Sequence, residues 1–493
     1  VSVPACLHSL GRVLEIVGLA FVLPTLVAAG YLESPVPFLV PGAVALGLGF
    51  LLERTCRGRG RAGTREAFLI VALAWLVTAL IGTLPYVLAS RGIGHWVDAL
   101  VESSAGLTTS NVSVVSDDPG RLTRSLLFWR QFSQWLGGLG VIVLTLAVLP
   151  RLRIGGREPT AEERPGQEVE RLSRGVREVA RRFGLFYLSL TVVAAIALLL
   201  VDLFDADDRM HPFDAFGLAF SAVSTGGFST RAGSLVEFSA VTQAVLAAVM
   251  LLAGANLVLV FRALVRRKGR PLARDNETRL YLAVAVTGAI AVAVALLAEK
   301  VEAMHDIGAG AFQSVSFLTT TGFSSANIAS WPTAAAAVLV GLALIGGCAA
   351  SLAGSQKLLR VLVIGKLLHR ELVRTVHPET VRHIRINRRP LAERAVVGVT
   401  VFVLIFFGLL AVGTLALELD AARIDQHLNV FPAIADATAA LANAGPGLGF
   451  AGPMGSFAPF SDVAKLILSA LMLLGRVEIV PIAVLFTRSY WRA

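Results

Sequence analysis

Four short polar stretches interrupt a chain that is otherwise apolar almost throughout. They are Leu107-Thr-Thr-Ser-Asn111-Val-Ser-Val-Val115, Ala222-Val-Ser-Thr-Gly226-Gly-Phe-Ser-Thr230, Leu318-Thr-Thr-Thr-Gly322-Phe-Ser-Ser-Ala326 and Leu441-Ala-Asn-Ala-Gly445-Pro-Gly-Leu-Gly449. None contains Asp, Glu, Lys or Arg, so side-chain charge cannot select an ion there. What remains is hydroxyls, glycine and main-chain carbonyls, and carbonyls in a ring replace the hydration shell of a monovalent cation. Aligned on the polar run, Gly226, Gly322 and Gly445 share one column, about 95 to 125 residues apart, and Asn111 fills it in the first stretch. Converging carbonyls require unusual backbone angles, for which glycine is the default. Asparagine is the next most permissive residue for left-handed backbone, so Asn111 is expected to keep the turn and add an amide beside the ion path. The candidate ion-coordinating residues are Thr108, Thr109, Ser110 and Asn111; Ser224, Thr225 and Gly226; Thr319, Thr320, Thr321 and Gly322; and Asn443, Ala444 and Gly445.

The elements that must hold these stretches are membrane helices. Of 493 residues 55% are hydrophobic and only 16% charged, against about 25% charged in soluble domains. Apolar runs near 13–29, 36–52, 67–89, 126–150, 185–202, 240–261, 280–298, 333–352, 396–418 and 463–487 are each about long enough to cross a hydrocarbon core. The first run is too long for a signal-peptide core and reads as a retained span, with Val1 an alternative start or a trimmed end. Three cysteines supply neither a disulfide framework nor metal-ligand spacing. The net charge of +10 is not a nucleic-acid signal, because the basic residues gather in alternate loops: Arg54, Arg57, Arg59, Arg61 and Arg65; Arg151 to Arg182; Arg262 through Arg266, Arg267 and Lys268 to Arg279; and Lys357 to Arg394. The loops between them are acidic or neutral, as at Asp202, Asp205, Asp207 and Asp208. The positive-inside rule puts the arginine loops and both termini in the cytoplasm.

After the first two spans one pattern repeats four times: span, short half-apolar segment, polar stretch, second span, basic loop. The organisation read from this is a transmembrane hairpin with its loop at 1–66, then repeats at 67–182, 183–279, 280–392 and 393–493. The short segments begin at Gly94, His211, His305 and Phe431 and are too short to cross. Pro212 and Pro432 suit a helix start, and Asp98, Asp214 and Asp306 complement its dipole. A segment that enters and leaves by one side puts non-helical backbone inside the membrane, which is tolerated only where protein buries it or it lines a watery cavity. Four such loops around one axis make a pore. The expected fold class is an all-α polytopic membrane protein: an N-terminal two-helix hairpin plus four span–pore helix–span repeats around a central ion pore.

At Ser224-Thr-Gly-Gly-Phe-Ser-Thr230, Thr319-Thr-Thr-Gly-Phe-Ser-Ser325, Asn443-Ala-Gly-Pro-Gly-Leu-Gly449, Trp135-Leu-Gly-Gly-Leu-Gly140 and Leu474-Gly-Arg-Val-Glu-Ile479, the chain resembles the Trk/Ktr/HKT superfamily of potassium transporters, most closely its TrkH-type membrane subunits. The resemblance implies K+ as the transported ion with no cofactor on this chain, a homodimer in the bacterial inner membrane, and a cytosolic nucleotide-binding regulatory ring of TrkA type docked beneath. The chain itself has no P-loop or dinucleotide fingerprint. It also implies an intramembrane gating loop over Ile345–Lys357, where Gly346, Gly347 and Gly354 weaken a helix and Leu352-Ala353 departs from the family's small residues. Lys357 and Arg476 complete the gate, with Arg476 a positive barrier projecting into the path. A charge in mid-span costs at least about 2.5–3.5 kcal/mol and normally faces a cavity or partner. Glu478, two residues on, does not share its helix face. Members with serine in the Asn111 column favour Na+, so weakened K+/Na+ discrimination is expected here, with a Na+-preferring pore as the alternative.

Two other classes are disfavoured. Asp202–Asp208 could mimic a diphosphate-binding pair and His305-Asp306 a metal or acid–base pair, but both fall in outer loops, and no HExxH or G-x-S-x-G pattern occurs. A carrier coupling K+ to H+ or Na+ would favour inverted repeats. Here every repeat ends in a basic loop, and no core carboxylate is evident for a proton relay.

Overall fold

The computed structural model describes residues 1–57, 63–115, 117–148, 165–205, 210–267, 269–299, 304–380 and 382–492; Arg59, Arg61, Arg151, Asp207, Asp208 and Lys268 lie outside the described residues. Helices dominate, as they must where a bilayer leaves backbone groups no water to bond. Among the described residues six helices are long and apolar enough to cross a membrane, seven with one bent pair. The first span, Val3–Ala20 and Val22–Gly30 with a break at Phe21, packs on Val36–Cys56. Glycines allow the close approach: a Cβ on Gly11 would lie 2.7 Å from Gly49 O, and one on Gly49 equally near Gly11 O.

Four long helices follow, Thr64–Leu88, Pro165–Asp205, Asn276–Ala298 and Glu393–Arg423. After each comes a helix of 12 to 15 residues: Trp96–Thr108, Pro212–Val223, Met304–Leu318 and Val430–Leu441. Asp98 and Asp214 sit in the first turns of their helices, where a negative charge meets the positive end of the dipole. The returning helices are Arg124–Val148, Ala240–Gly254, Thr333–Ile345 and Asp462–Arg476.

Among the described residues only the first returning helix is unbroken, over Arg124–Val148. The run at 240–261 is two helices, the second being Leu257–Leu264, bent by 112°. Ala255 and Asn256 leave the helical region, and Asn256 Oδ1 caps the new helix by accepting from Val258 N and Leu259 N. The run at 333–352 stops at Ile345, where Gly346 takes φ +74°. The run at 463–487 breaks after Arg476, with Glu478 and Ile479 at φ +62° and +56°, and resumes at Val480–Leu485. The amphipathic helix Leu358–Val376 and a two-stranded antiparallel hairpin, Arg385–Ile386 with Arg389–Pro390, complete the arginine-loop face.

Candidate functional site

The four short helices end in one and the same closure. The residue after the last turn is left-handed in each: Thr109 (φ +52°), Thr225 (+55°), Thr320 (+56°) and Asn443 (+50°). Its amide returns to the carbonyl three back, at 3.1–3.2 Å, in all four loops. The next amide reaches five back: Ser110 N to Ala105 O (2.9 Å), Gly226 N to Ser221 O (2.8 Å), Thr321 N to Ser316 O (2.9 Å) and Ala444 N to Ala439 O (3.0 Å). This paired bonding satisfies the orphan carbonyls of a helix end. Just before it, Thr108, Ser224 and Thr319 turn their hydroxyls back onto carbonyls of the preceding turn.

The closures fix the register, and they correct the alignment read from sequence. The residue in the column of Asn111, Gly322 and Gly445 is Gly227; Gly226 belongs one place earlier, with Ser110, Thr321 and Ala444. The expected reason for the glycines is corrected too. Positive φ in this column occurs at Gly227 (+79°) and Gly322 (+84°) but not at Asn111 or Gly445, so Asn111 is not held there by tolerance for left-handed backbone. Inter-loop contact is the shared demand. A Cβ on Gly227 would lie 2.0 Å from Thr321 O, one on Gly322 1.7 Å from Gly445 O, and one on Gly445 2.7 Å from the carbonyl carbon of Asn111. Loop two thus abuts three, three abuts four, and four abuts one. Gln134 links one to two: its Nε2 donates to Ser110 O (3.3 Å) and Gly226 O (2.7 Å) while its Oε1 accepts from Phe228 N (3.2 Å). Asn111 has room for a side chain, and its Nδ2 donates to Gly322 O at 2.8 Å, tying loop one to loop three.

Behind the loops lies a set of residues that sequence reasoning missed. Seven positions before the left-handed residue stand Glu102, Leu218, Gln313 and Asp436. Three of them accept from the amide five positions after that residue: Val114 N to Glu102 Oε2 (3.1 Å), Leu448 N to Asp436 Oδ1 (3.0 Å) and, with its amide turned to suit both neighbours, Ser325 N to Gln313 (2.8 Å). In loop two Asp214 does the bracing through Thr230 Oγ1 (2.6 Å) and Arg231 Nη2 (2.9 Å). Glu102 is met by Arg130, whose Nε lies 2.5 Å from Oε1; Nη1 and Nη2 donate to Ser229 O and Ser113 Oγ, and the guanidinium sits 4.1 Å from the Phe228 ring centroid. Glu102 and Asp436 are fully buried carboxylates, which corrects the expectation of a core without them. The recurrence at seven residues was legible in the alignment, had it been anchored on the helix ends.

On the arginine-loop side, residues 346–357 leave the helix and, with Ala349 and Ala350 half-buried, otherwise lie buried against the loops. Cys348 N and Leu352 N donate to Gly254 O and Ala253 O, Ala349 N donates to Glu277 Oε1, and Ala350 O accepts from Leu257 N. Thr225 Oγ1 donates to Leu352 O (3.1 Å), as does Arg476 Nη1 (3.0 Å), and Gly354 N donates to Thr320 Oγ1 (2.7 Å). Gly354 is where contact is closest: a Cβ would fall 2.2 Å from Ala442 O. One on Gly347 would fall 2.7 Å from Gly254 O. Lys357 lies in an ion pair, Nζ to Glu478 Oε1 at 3.0 Å, and Arg360 holds the other oxygen at 2.7 Å while stacking 3.8 Å over Phe402. Arg476 has no carboxylate partner among the described residues, and its Nε and Nη2 make no hydrogen bond. The glycines of two quoted motifs seat the short helices: a Cβ on Gly137 would be 1.9 Å from Leu107 O, and one on Gly475 1.9 Å from Leu441 O.

The profile of the TrkH family, described as cation transport protein, matches residues 42–492. The Trk system potassium uptake protein TrkH of Salmonella typhimurium is 36% identical over 477 residues, covering 96% of this chain and 95% of its own. Its counterpart in Escherichia coli K12 is 36% identical over 454 residues, 91% of each chain. The crystal structure of the potassium transporter TrkH from Vibrio parahaemolyticus matches with a TM-score of 0.86 at 31% identity, over 100% of both chains.

Proposed function

The chain belongs to the TrkH family of cation transport proteins, transporters rather than enzymes, and is a multi-pass membrane protein; on that premise we propose that it conducts K+ into the cell through the ring of four loops. The observation that carries the proposal is the fourfold closure at Thr109, Thr225, Thr320 and Asn443, which sets four uncharged backbone segments against one another in a buried ring. Such a ring supplies carbonyl oxygens in place of the ion's water, while the negative ends of the four short helices lower the energy of a cation at its centre. The arginine-loop face is cytoplasmic, in a bacterial inner membrane. There a nucleotide-binding regulatory ring docks beneath a homodimer, and residues 346–357 form the gate, with Arg476 as its positive element.

K+/Na+ discrimination is weakened by Asn111. Its amide occupies Gly322 O at 2.8 Å, and a carbonyl committed to an amide is withdrawn from the ion. A tenfold change in selectivity requires only about 1.4 kcal/mol, within reach of one redirected hydrogen bond. The test is K+ and Na+ flux into proteoliposomes for the natural chain and Asn111→Gly. Absence of K+ flux sinks the proposed function. A K+/Na+ ratio unmoved by Asn111→Gly sinks the role of Asn111 and leaves the pore standing.

A further inference from the structure

A second charged site lies away from the ion path, on the arginine-loop face. A cleft of about 780 Å³ opens between the helix Leu257–Leu264, the short helix Arg270–Arg274, the start of Asn276–Ala298 and the hairpin at 385–390. It is lined by Arg262, Arg274, Arg279, Arg388 and Arg389, with Asp275 the one carboxylate in its wall. Asp275 is already engaged: Oδ2 accepts from Thr278 N (2.8 Å) and Thr278 Oγ1 (3.0 Å), and Oδ1 accepts from Asn387 Nδ2 (2.6 Å). Among the described residues none of the five guanidinium groups has a carboxylate within 4 Å. Like charges held together without counter-ions raise the local potential and draw in an anion.

The walls are built rather than fortuitous. Asn387 and Arg388 form the hairpin tip in left-handed conformation (φ +52° and +67°), and Asn387 Oδ1 accepts from Asn276 N at 2.9 Å. The hairpin is thereby fixed to the first residue of a 23-residue helix, whose positive dipole end faces the cleft. Planar guanidinium forks match the oxygens of a phosphate in pairs. Exposed Leu264 and Val265 stand two and three residues after Arg262, and basic pockets between membrane helices on the cytoplasmic side bind phospholipid headgroups.

We infer that this arginine cleft is a binding site for a phosphate-bearing anion, and that its occupancy biases the gating loop through Glu277. The second clause rests on the gate described under the proposed function; the first does not. Asp275 and Asn276 form the cleft wall, and the next residue, Glu277, accepts from Ala349 N of the loop at 2.5 Å. The same helix start therefore touches the bound phosphate on one side and the loop on the other. A ligand that draws in Arg274 and Arg279 moves the turn that carries Glu277.

The test uses the purified full-length chain and two probes. ATP binding is measured by isothermal titration, and retention of phosphatidylglycerol against phosphatidylcholine by native mass spectrometry. The Arg274→Gln/Arg388→Gln double variant is compared with Arg374→Gln, an exposed arginine off the cleft. The expected result is that at least one probe binds the natural chain and the Arg374→Gln control alike, and the double variant at least tenfold more weakly. ATP alone identifies a soluble nucleotide as the source of the phosphate, and phosphatidylglycerol alone a lipid. Equal binding of both probes to natural chain and double variant overturns the site, also when the double variant loses only an acidic protein partner. For the coupling, K+ flux is followed as the effective probe is added, with Glu277→Leu as the variant. Probe binding kept while the flux response disappears supports the link, and a response that persists in Glu277→Leu overturns it. Binding without K+ flux in any variant would retain the site and reject the transport reading instead.

Discussion

Gly354→Ala is the sharpest perturbation of the gate, because a single methyl acts at one contact. In the structure a Cβ at this position would lie 2.2 Å from Ala442 O and 3.2 Å from the Asn443 Cβ. Ala442 O is backbone at the end of a buried helix and does not rotate aside, so the loop has to move. Leaving moves Gly354 N off Thr320 Oγ1, a 2.7 Å bond, and loosens the neighbouring bonds from Thr225 and Arg476 to Leu352 O. Overpacking by one methyl costs about 1–3 kcal/mol, and this cost falls on the state in which the loop sits against the filter. A displaced loop does not bear it. The closed-to-open ratio should therefore fall by about 5- to 150-fold. The assay is K+ uptake into proteoliposomes without any regulatory partner. Basal flux is expected to rise at least fivefold, with the K+/Na+ ratio unchanged because the four filter closures are untouched. Unchanged or reduced flux from a monodisperse variant of normal thermal stability would refute the view that residues 346–357 block the path.

Three further outcomes follow from the same geometry. Arg476→Ala removes a buried cation that has one bond, to Leu352 O; K+ flux should rise, and flux equal to that of the natural chain rules out a barrier role. Arg130→Met leaves Glu102 buried without its partner, a loss of about 3–5 kcal/mol visible as a lower unfolding temperature; adding Glu102→Gln should restore part of it, and no restoration would mean that Arg130 acts by packing. Gly137→Ala, with its Cβ 1.9 Å from Leu107 O, should unseat the first short helix and lower stability, whereas Gly398→Ala, with nothing within 4 Å, should be neutral or gain about 1 kcal/mol from helix propensity. Equal stability of the two alanine variants would contradict the close-approach argument.

The sequence exposed the elements whose cause is local. The short helices were legible because 12 to 15 apolar-faced residues between two long runs cannot cross a bilayer, and they start within two residues of Gly94, His211, His305 and Phe431. The break at Gly346 was legible because glycines crowd there. The breaks at Ala255 and after Arg476 were not read from the apolar runs, although Gly254 and Asn256 flank the first and Gly475 and Pro481 the second, because a single glycine is tolerated inside a helix. At the first, the segment 346–357 takes over the helix's backbone groups, Cys348 N and Leu352 N reaching Gly254 O and Ala253 O while Leu257 N turns to Ala350 O. The register of loop two failed for a similar reason. Gly226 and Gly227 are equivalent by composition, and only the bond from Gly226 N to Ser221 O decides which of them faces Thr321.

The left-handed position links the four closures to the segments packed beneath them. Glycine would adopt φ near +55° without strain, whereas a β-branched residue there costs of the order of 1–3 kcal/mol. The chain nevertheless places Thr109, Thr225 and Thr320 at it, and Asn443 in the fourth loop. The side chains account for the choice. Thr225 Oγ1 donates to Leu352 O, Thr320 Oγ1 accepts from Gly354 N, and Asn443 Nδ2 donates to Met472 O at 3.0 Å, four residues before Arg476. Glycine would relieve the strain and sever all three connections. Three of the four strained caps thus do two jobs: the backbone closes the helix end, and the polar group fastens that turn to residues 346–357 or to the helix bearing Arg476. Loop one is the exception, since Thr109 Oγ1 has no hydrogen-bond partner among the described residues, and it is also the loop whose Asn111 reaches across the ring to Gly322 O. Three of the caps are thus tied to residues 346–357 or to the helix bearing Arg476, while loop one is joined to the others through Gln134, the contact of Gly445 with Asn111 and the bond from Asn111 to Gly322 O.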